Sequence, residues 1–187
     1  MDYKYQGIIL SKLDVAEVDR IYHIYTREAG KIRVLGKGVR NPNAKLAGHL
    51  EPITRGEIFV AKSRGMGKIT GAITEEMFSG IKNDLVSVSR TFYIFQIMEK
   101  LIAEQEGDER IFSLLSGFLD ALEKISTDEA DEKKDIVTSG FLFKFLDFSG
   151  YRIEVEKCMK CGEKLKNEIN YFSSERGGFV CGACRDK

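Results

Sequence analysis

Short apolar segments separated by polar stretches run from Lys4 to Met77, and Lys31 to Val34 shows the two-residue alternation of a β-strand. Five segments there are rich in β-branched and aromatic residues, and glycines or charged clusters separate them. They span residues 7–10, 20–26, 31–35, 57–61 and 68–73, with the longest gap between the third and the fourth. This count and spacing predict a small barrel of the OB type, although strand count alone does not distinguish it from an SH3-like barrel.

The hydrophobic period lengthens beyond Gly80, where apolar residues recur every three or four positions. This pattern predicts three helices, the first over 83–104, the second through 111–122 and the third through 136–148. Gly150 is placed to end the third helix. No repeat with a period of twenty to fifty residues is found, which excludes a solenoid. The pattern predicts an α+β protein with an N-terminal barrel and a helical middle.

Four cysteines near the end of the chain form two C-x-x-C pairs with 19 residues between them. Zinc favours four thiolates in a tetrahedron, and two intervening residues let one turn present both sulfurs. A hairpin of 170–173 and 178–180 fits between the pairs. We therefore predict a C-terminal four-cysteine zinc ribbon holding one structural zinc ion, because no coordination position remains for water or substrate. The predicted ligands are Cys158, Cys161, Cys181 and Cys184.

Other uses of these cysteines fit less well. Two disulfides or a redox dithiol are disfavoured because the start of the chain lacks the order of a signal peptide and no βαβ pattern is present. His49-Leu50-Glu51 has the H-x-E spacing of zinc deaminases, but Lys157 replaces the proline of their cysteine motif. The chain has two histidines and no phosphate-binding loop, so we expect no enzymatic activity.

Charged residues are unevenly distributed along the chain, although the formal net charge is zero. Residues 1–73 hold 13 Lys and Arg against 7 Asp and Glu, while the remainder holds 16 against 22. Nine basic residues lie between Lys31 and Lys68, against two acidic ones. Such asymmetry favours a polyanionic partner for the barrel. No apolar stretch is long enough for a membrane helix, so we expect a cytoplasmic protein.

The third predicted strand carries a basic face. Lys31 and Arg33 alternate with two apolar residues, so both cations leave one side of the strand, and further cations continue into the following loop. Tyr22 and Tyr25 on the neighbouring strand could stack bases, as in barrels that bind nucleic acid. An ordinary solvated face remains the alternative.

Several of these segments resemble the RecO family of bacterial DNA repair and recombination mediators. The resemblance spans nearly the whole chain, with order and spacing preserved, and includes a Gly-Gly just before the second cysteine pair. Its pieces are GIIL at 7–10, DRIYHIYTREAGK at 19–31, KGVR at 37–40, GY at 150–151, CMKCG at 158–162 and GGFVCGAC at 177–184.

The resemblance implies an OB-fold that binds single- and double-stranded DNA and anneals complementary strands. It also implies a nucleoid-associated protein that acts with RecR to load RecA onto DNA coated by single-strand-binding protein. The expected domains are 1–78, 79–152 and 153–187. The expected DNA contacts are Lys31, Arg33, Lys37, Arg40 and Lys45.

Two departures from the family pattern bear on these expectations. Ala44 stands where the basic loop often has serine, and the sequence ends three residues after Cys184, where the family usually continues with more helix. Two alternatives stay open, a protein-interaction module and an RNA-binding zinc-ribbon protein, since electrostatics does not separate RNA from DNA.

Overall fold

A computed structural model describes residues 2–41, 44, 46–61, 65–125 and 131–185. The chain forms two compact units, Met1–Phe141 and Leu142–Lys187. The first contains a barrel and most of the helical region, and the second contains the end of the last helix and the cysteine pairs. Within the described residues, no helix combines the length and apolarity that a bilayer crossing requires.

Five strands close the N-terminal barrel in the order β1-β2-β3-β5-β4. β1 is long enough to pair antiparallel with both β2 and β4, and a short parallel pairing of β3 with β5 completes the circle. This is the strand order of an OB-fold barrel, so the predicted fold is confirmed. The strands are β1 (Asp2–Val15), β2 (Asp19–Thr26), β3 (Gly30–Gly36), β4 (Arg55–Ala61) and β5 (Gly67–Glu76).

The alternation read from the sequence matches the barrel core. Ile32 and Val34 of β3 point inward, as do Tyr22 and Ile24 of β2. Ile24 is completely buried, and burial of such a side chain is worth about 1.5–3 kcal/mol. The barrel is therefore held by a continuous apolar interior as well as by its hydrogen-bonded strands.

In the described part of the chain four helices follow the barrel, one more than predicted. α2 and α3 begin at aspartate caps, because Asp84 accepts the Ser87 N–H at 3.0 Å and Asp108 accepts the Arg110 N–H at 2.8 Å. The extra helix, α1, is a single turn. The helices are α1 (Ser79–Lys82), α2 (Leu85–Leu101), α3 (Glu109–Lys124) and α4 (Asp131–Phe148).

A buried ion pair joins α4 to the start of α2. Lys134 is 1% exposed, and its Nζ donates to the Asp84 carboxylate at 2.8 Å. This ammonium, together with hydrogen bonds from Ser87, lowers the pKa of Asp84 to about 2. Asp84 therefore caps one helix and neutralises a cation from another.

The second unit is built around a small hairpin. α4 ends in a Schellman motif at Gly150, whose φ of 82° is left-handed, with the Tyr151 N–H donating to the Leu146 carbonyl at 2.7 Å. β6 (Tyr171–Ser173) and β7 (Gly178–Val180) then pair antiparallel. Both the helix end at Gly150 and the hairpin agree with the sequence prediction.

Candidate nucleic-acid surface and cysteine centre

The outer face of β3 carries the predicted basic residues. Ile32 and Val34 are buried, Lys31 is partly buried and Arg33 is exposed. The two cations therefore leave the same side of the strand, as their alternation requires. Their surroundings differ from what the sequence suggested.

An acidic linker, residues 102–108 between α2 and α3, lies over this face. The Gln105 N–H donates to the Lys31 carbonyl at 2.9 Å, and Lys31 and Glu104 form an isolated parallel bridge. The Lys31 ammonium donates to the Glu99 carbonyl at 2.6 Å. Arg33 lies 3.6 Å from the Glu104 carboxylate, with both side chains about half exposed. Part of the face on which OB-folds take ligands is thus occupied by the chain itself.

A histidine cluster anchors the end of α2 to the barrel. The Glu99 carboxylate lies 3.1 Å from His23 Nδ1, and the Ser11 hydroxyl lies 3.2 Å from the same nitrogen. A nucleophile–base–acid relay needs its serine and its carboxylate on opposite imidazole nitrogens. With both partners on Nδ1, this cluster is a packed contact between strand and helix.

Gly30 is required where the linker crosses the turn into β3. Its φ is 64°, and a Cβ built there would lie 2.1 Å from the Glu106 carbonyl oxygen. The Thr26 hydroxyl organises the same turn by donating to the Gly30 carbonyl at 2.9 Å and accepting the Ala29 N–H at 3.1 Å. The sequence around Gly30 thus supports close docking of the linker.

The prediction that Tyr22 and Tyr25 stack bases is wrong. Both rings are fully buried, Tyr22 inside the barrel and Tyr25 beneath the linker. The Tyr25 hydroxyl lies 3.3 Å from the Asp108 carbonyl, and burial raises the pKa of this phenol to about 12. Residues three apart on a strand face opposite sides, and each side here is covered.

The turn after β3 presents Lys37 and Arg40 to solvent. It is fixed to the β1–β2 hairpin, because Asp19 accepts the Gly38 N–H at 2.7 Å and the Arg40 N–H donates to the Val18 carbonyl at 3.0 Å. The Arg40 guanidinium lies 3.4 Å from the Asp14 carboxylate. Lys45, also predicted to contact DNA, lies outside the described residues.

Three exposed cations form what we call the basic surface: Arg33, Lys37 and Lys68. Lys68 on β5 is in register with Leu35 of β3, which lies two residues after Arg33 and two residues before Lys37 in the following turn. Strand rise and spacing therefore put the Cα atoms of Arg33 and Lys68 within about 8 Å of that of Leu35, and two residues of chain keep Lys37 within about the same distance. Sequence reasoning counted Lys68 among the basic residues without selecting it, because the parallel β3–β5 pairing has no local signature.

The four cysteines come together as predicted. Their Sγ atoms all lie within 4.8 Å of one another, and Cys161 and Cys181 are 4.0 Å apart. Four sulfurs around one ion at zinc–thiolate bond lengths would be about 3.8 Å apart. The cluster can therefore hold a metal ion.

Backbone donors converge on the most buried of these sulfurs. The N–H groups of Lys160 and Cys181 each approach Cys158 Sγ at 3.4 Å. Backbone hydrogen bonds from Cys161 and Cys181 lower the pKa of the Cys158 thiol to about 6, whereas the neighbouring sulfur of Cys181 raises the pKa of the Cys184 thiol to about 12. The turns of both cysteine pairs thus donate backbone hydrogen bonds to the Cys158 sulfur.

Comparison with known proteins covers the chain from end to end. Residues 1–78 match the family model described as Recombination protein O N terminal, and residues 82–187 match Recombination protein O C terminal. A DNA repair protein RecO of Dehalococcoides mccartyi is 33% identical over 185 residues, which is 99% of this chain and 71% of that protein. DNA repair protein RecO of Rubrobacter xylanophilus is 31% identical over 98% of this chain and 71% of its own length.

More distant relatives preserve the same coverage. DNA repair protein RecO of Alkaliphilus metalliredigens is 25% identical over 97% of this chain and 71% of its own length. The first family model matches the residues of the OB-type barrel, and the second matches the helical middle and the four clustered cysteines. The chain belongs to the RecO family of DNA repair proteins.

Proposed function

We propose that this protein binds single- and double-stranded DNA through the basic surface of its barrel and acts as a non-enzymatic recombination mediator at the bacterial nucleoid. The observation that carries this proposal is the exposure of Arg33 on β3, Lys68 on the neighbouring β5 and Lys37 in the turn after β3, all on one OB-type barrel. Among the described residues, the ion pair of Arg33 is a solvent-exposed one with Glu104. Such pairs are worth about 0–1 kcal/mol, so a phosphate can compete for the guanidinium.

The other predicted contacts take secondary places in this proposal. Arg40 shares Asp14 with Arg20, so a phosphate there must compete with an existing carboxylate. Lys31 donates to the Glu99 carbonyl near the end of α2 and reaches DNA only if that hydrogen bond breaks. Phosphate contacts are therefore expected to centre on Arg33, Lys37 and Lys68.

Salt-dependent binding tests the proposal directly. Each phosphate contact on a single strand contributes about 0.7 to the slope of log affinity against log salt, so replacing Arg33, Lys37 and Lys68 together with glutamine should lower that slope by about 2. The measurement is fluorescence anisotropy of a labelled oligonucleotide. A matched control replaces the exposed Lys124, Lys144 and Lys164, which changes the net charge equally.

The same titration separates the alternatives. If the two triple variants bind DNA equally well, the barrel does not carry DNA binding and a protein-interaction role takes precedence. Tighter binding of a matched RNA strand would favour an RNA-binding protein.

The mediator activity needs its own measurement. Family membership supports annealing of complementary strands and cooperation with RecR in loading RecA onto DNA coated by single-strand-binding protein. We expect the Arg33, Lys37 and Lys68 variant to slow annealing and to lower RecR-dependent RecA loading, whereas the control variant retains both. Loading that is independent of RecR would contradict this role.

We further propose that the cysteine cluster binds one structural zinc ion. Four thiol ligands with two-residue spacing suit zinc, and among the described residues these four make up the whole cluster, which is typical of a structural site. Elemental analysis should find one zinc per chain. A different metal, or a protein purified under reducing conditions that contains no metal, would contradict the assignment.

A further inference from the structure

A groove of about 500 Å³ opens on the hairpin of the second unit. Three cations line it from three separate segments: Lys160 from the first cysteine turn, Arg176 from the hairpin turn and Arg185 from beyond the second cysteine pair. All three are exposed, and Glu175 is the one acidic residue lining the groove within the described part of the chain. The hairpin and the two cysteine turns thus direct basic side chains to one place.

Aromatic rings lie among these cations. Phe172 on β6 is 54% exposed and packs edge-on against Phe179 of β7, with ring centroids 5.6 Å apart. Arg185 covers the Tyr171 ring at 4.2 Å. The hairpin therefore supports Phe172 from one side while leaving much of its surface to solvent. An exposed ring beside cations is the arrangement on which unstacked bases pack.

Charge at the groove is close to balanced once the cluster is counted. A divalent ion with four thiolates carries a net charge of about −2, which adds to Glu175 and opposes the three cations. An acidic peptide would need a clear positive excess to bind here. A nucleic-acid strand gains from stacking as well, and stacking is worth about 1–3 kcal/mol per base. The ring should therefore contribute more than any single cation.

We propose that this groove is a second binding site for single-stranded DNA. One unstacked base packs on Phe172, and neighbouring phosphates contact Lys160 and Arg176. Duplex DNA keeps its bases stacked and has no free face for the ring, so the site selects single strands. The proposal rests on the DNA binding proposed above only in its choice of DNA as the nucleic acid, because its residues are distinct from the basic surface.

A tryptophan reporter tests the contact. The chain contains no tryptophan, so Phe172→Trp introduces a single fluorophore at the groove, and Ile169→Trp places one at a 77% exposed position of the same unit that does not line the groove. An oligothymidylate should quench the first variant and leave the second nearly unchanged, and duplex DNA should quench neither. Equal quenching of both, or quenching by duplex, overturns the proposal.

Affinity measurements separate this site from the barrel. Phe172→Leu removes the ring but keeps an apolar side chain, and it should weaken single-strand binding about tenfold while metal content stays constant. Lys160→Gln with Arg176→Gln should lower the salt slope by about 1.4. Unchanged affinity in these variants, with loss in the Arg33, Lys37 and Lys68 variant, overturns the ribbon site alone.

The barrel proposal is overturned, and the ribbon site stands, if affinity falls in the Phe172 and the Lys160 with Arg176 variants but is unchanged in the Arg33, Lys37 and Lys68 variant.

Competition with an acidic polymer tests whether the groove is selective for nucleic acid. If polyglutamate displaces the oligothymidylate from the Phe172→Trp variant at equal charge concentration, the groove recognises acidic chains in general and the proposal fails.

Discussion

Different interactions stabilise the barrel and the second unit, which carries the cysteines and is called the cysteine unit below. Ten buried residues from strands and adjoining loops form the barrel interior, and every barrel strand pairs on both sides. Between residues 153 and 185 only Cys158, Gly178 and Val180 are buried, and the hairpin strands have three residues each. A segment this small cannot bury enough apolar surface to offset its chain entropy. The metal ion proposed for the cysteines would do the work of a hydrophobic core in this unit, so the two regions should unfold under different conditions.

Metal removal should produce the largest difference between the two regions. Structural zinc contributes on the order of 10 kcal/mol to the folding of small domains, so a chelator or Cys181→Ser should unfold the hairpin and leave the barrel folded. Hydrogen exchange measures this as loss of protection in β6 and β7 with protection of β1–β5 retained. Simultaneous loss in both regions would show that the barrel also depends on the metal.

A cavity in the barrel should have the opposite effect. Ile24→Ala removes a completely buried side chain and should cost about 4 kcal/mol of unfolding free energy, within the range for such truncations. Denaturant unfolding measures the cost, and zinc stoichiometry should not change. The matched control is Ile169→Ala, at a position 77% exposed. A comparable loss in the control would mean that the barrel interior is not the source of stability.

The helical region should be sensitive to the loss of one carboxylate. Asp84→Asn keeps a capping oxygen but removes the charge beside Lys134, which is 1% exposed. We expect a loss of about 2 kcal/mol, less than the 3–5 kcal/mol of a fully buried pair, since Asp131 lies 3.5 Å from the same ammonium. Thermal unfolding near neutral pH measures it. Lys144→Gln, an exposed position on the same helix, should have almost no effect.

Acid should destabilise the cysteine unit and the helical region at different pH values. The folded-state pKa of Asp84 is about 2, below the unfolded value of about 3.9, so its contribution is complete above roughly pH 4 and is lost as pH falls through 2. Thiolate–metal bonds break earlier, because protons compete for the sulfurs. An acid titration should therefore release metal before the helices lose stability. Helix loss that precedes metal release would reverse this order.

The smallest expected effect concerns the linker over the barrel. Glu104→Gln removes the carboxylate 3.6 Å from Arg33, and because exposed pairs are worth about 0.2–1 kcal/mol, DNA affinity should rise about twofold. Anisotropy at low salt measures it. Glu109→Gln is the control, since it makes the same charge change beside Arg27 instead. An equal rise in both variants would assign the effect to net charge rather than to the linker.

Local patterns were sufficient to predict the strands, the long helices and the cysteine cluster. The period at Lys31 to Val34 sets which side chains enter the barrel, and the C-x-x-C spacing sets where the sulfurs meet. The single turn α1 escaped prediction because its cap is remote: the Glu123 carboxylate accepts the Gly80 and Ile81 N–H groups at 2.7 and 2.8 Å. Because Glu123 lies some forty residues away along the chain, the sequence next to α1 does not indicate this cap.

The candidate DNA surface was predicted less completely for the same reason. Periodicity shows that Lys31 and Arg33 leave one face of β3, but it does not show what lies against that face. The acidic run Glu104, Glu106 and Asp108 was the available signal, since an acidic linker following a basic barrel has a complementary surface close by. The burial of Tyr25 follows from that same contact.

The linker also bears on how the protein can be dissected. A fragment ending after β5 would lack Glu99, Glu104 and Asp108, which contact His23, Arg33 and Tyr25 in the intact chain. Such a fragment would expose an aromatic ring and leave Lys31 unengaged, so its barrel surface would bind DNA more tightly than the same surface does in the intact protein. An isolated barrel would thus differ from the barrel of the intact chain in its exposed DNA-binding surface. Mapping DNA binding by truncation would therefore overstate the contribution of the barrel.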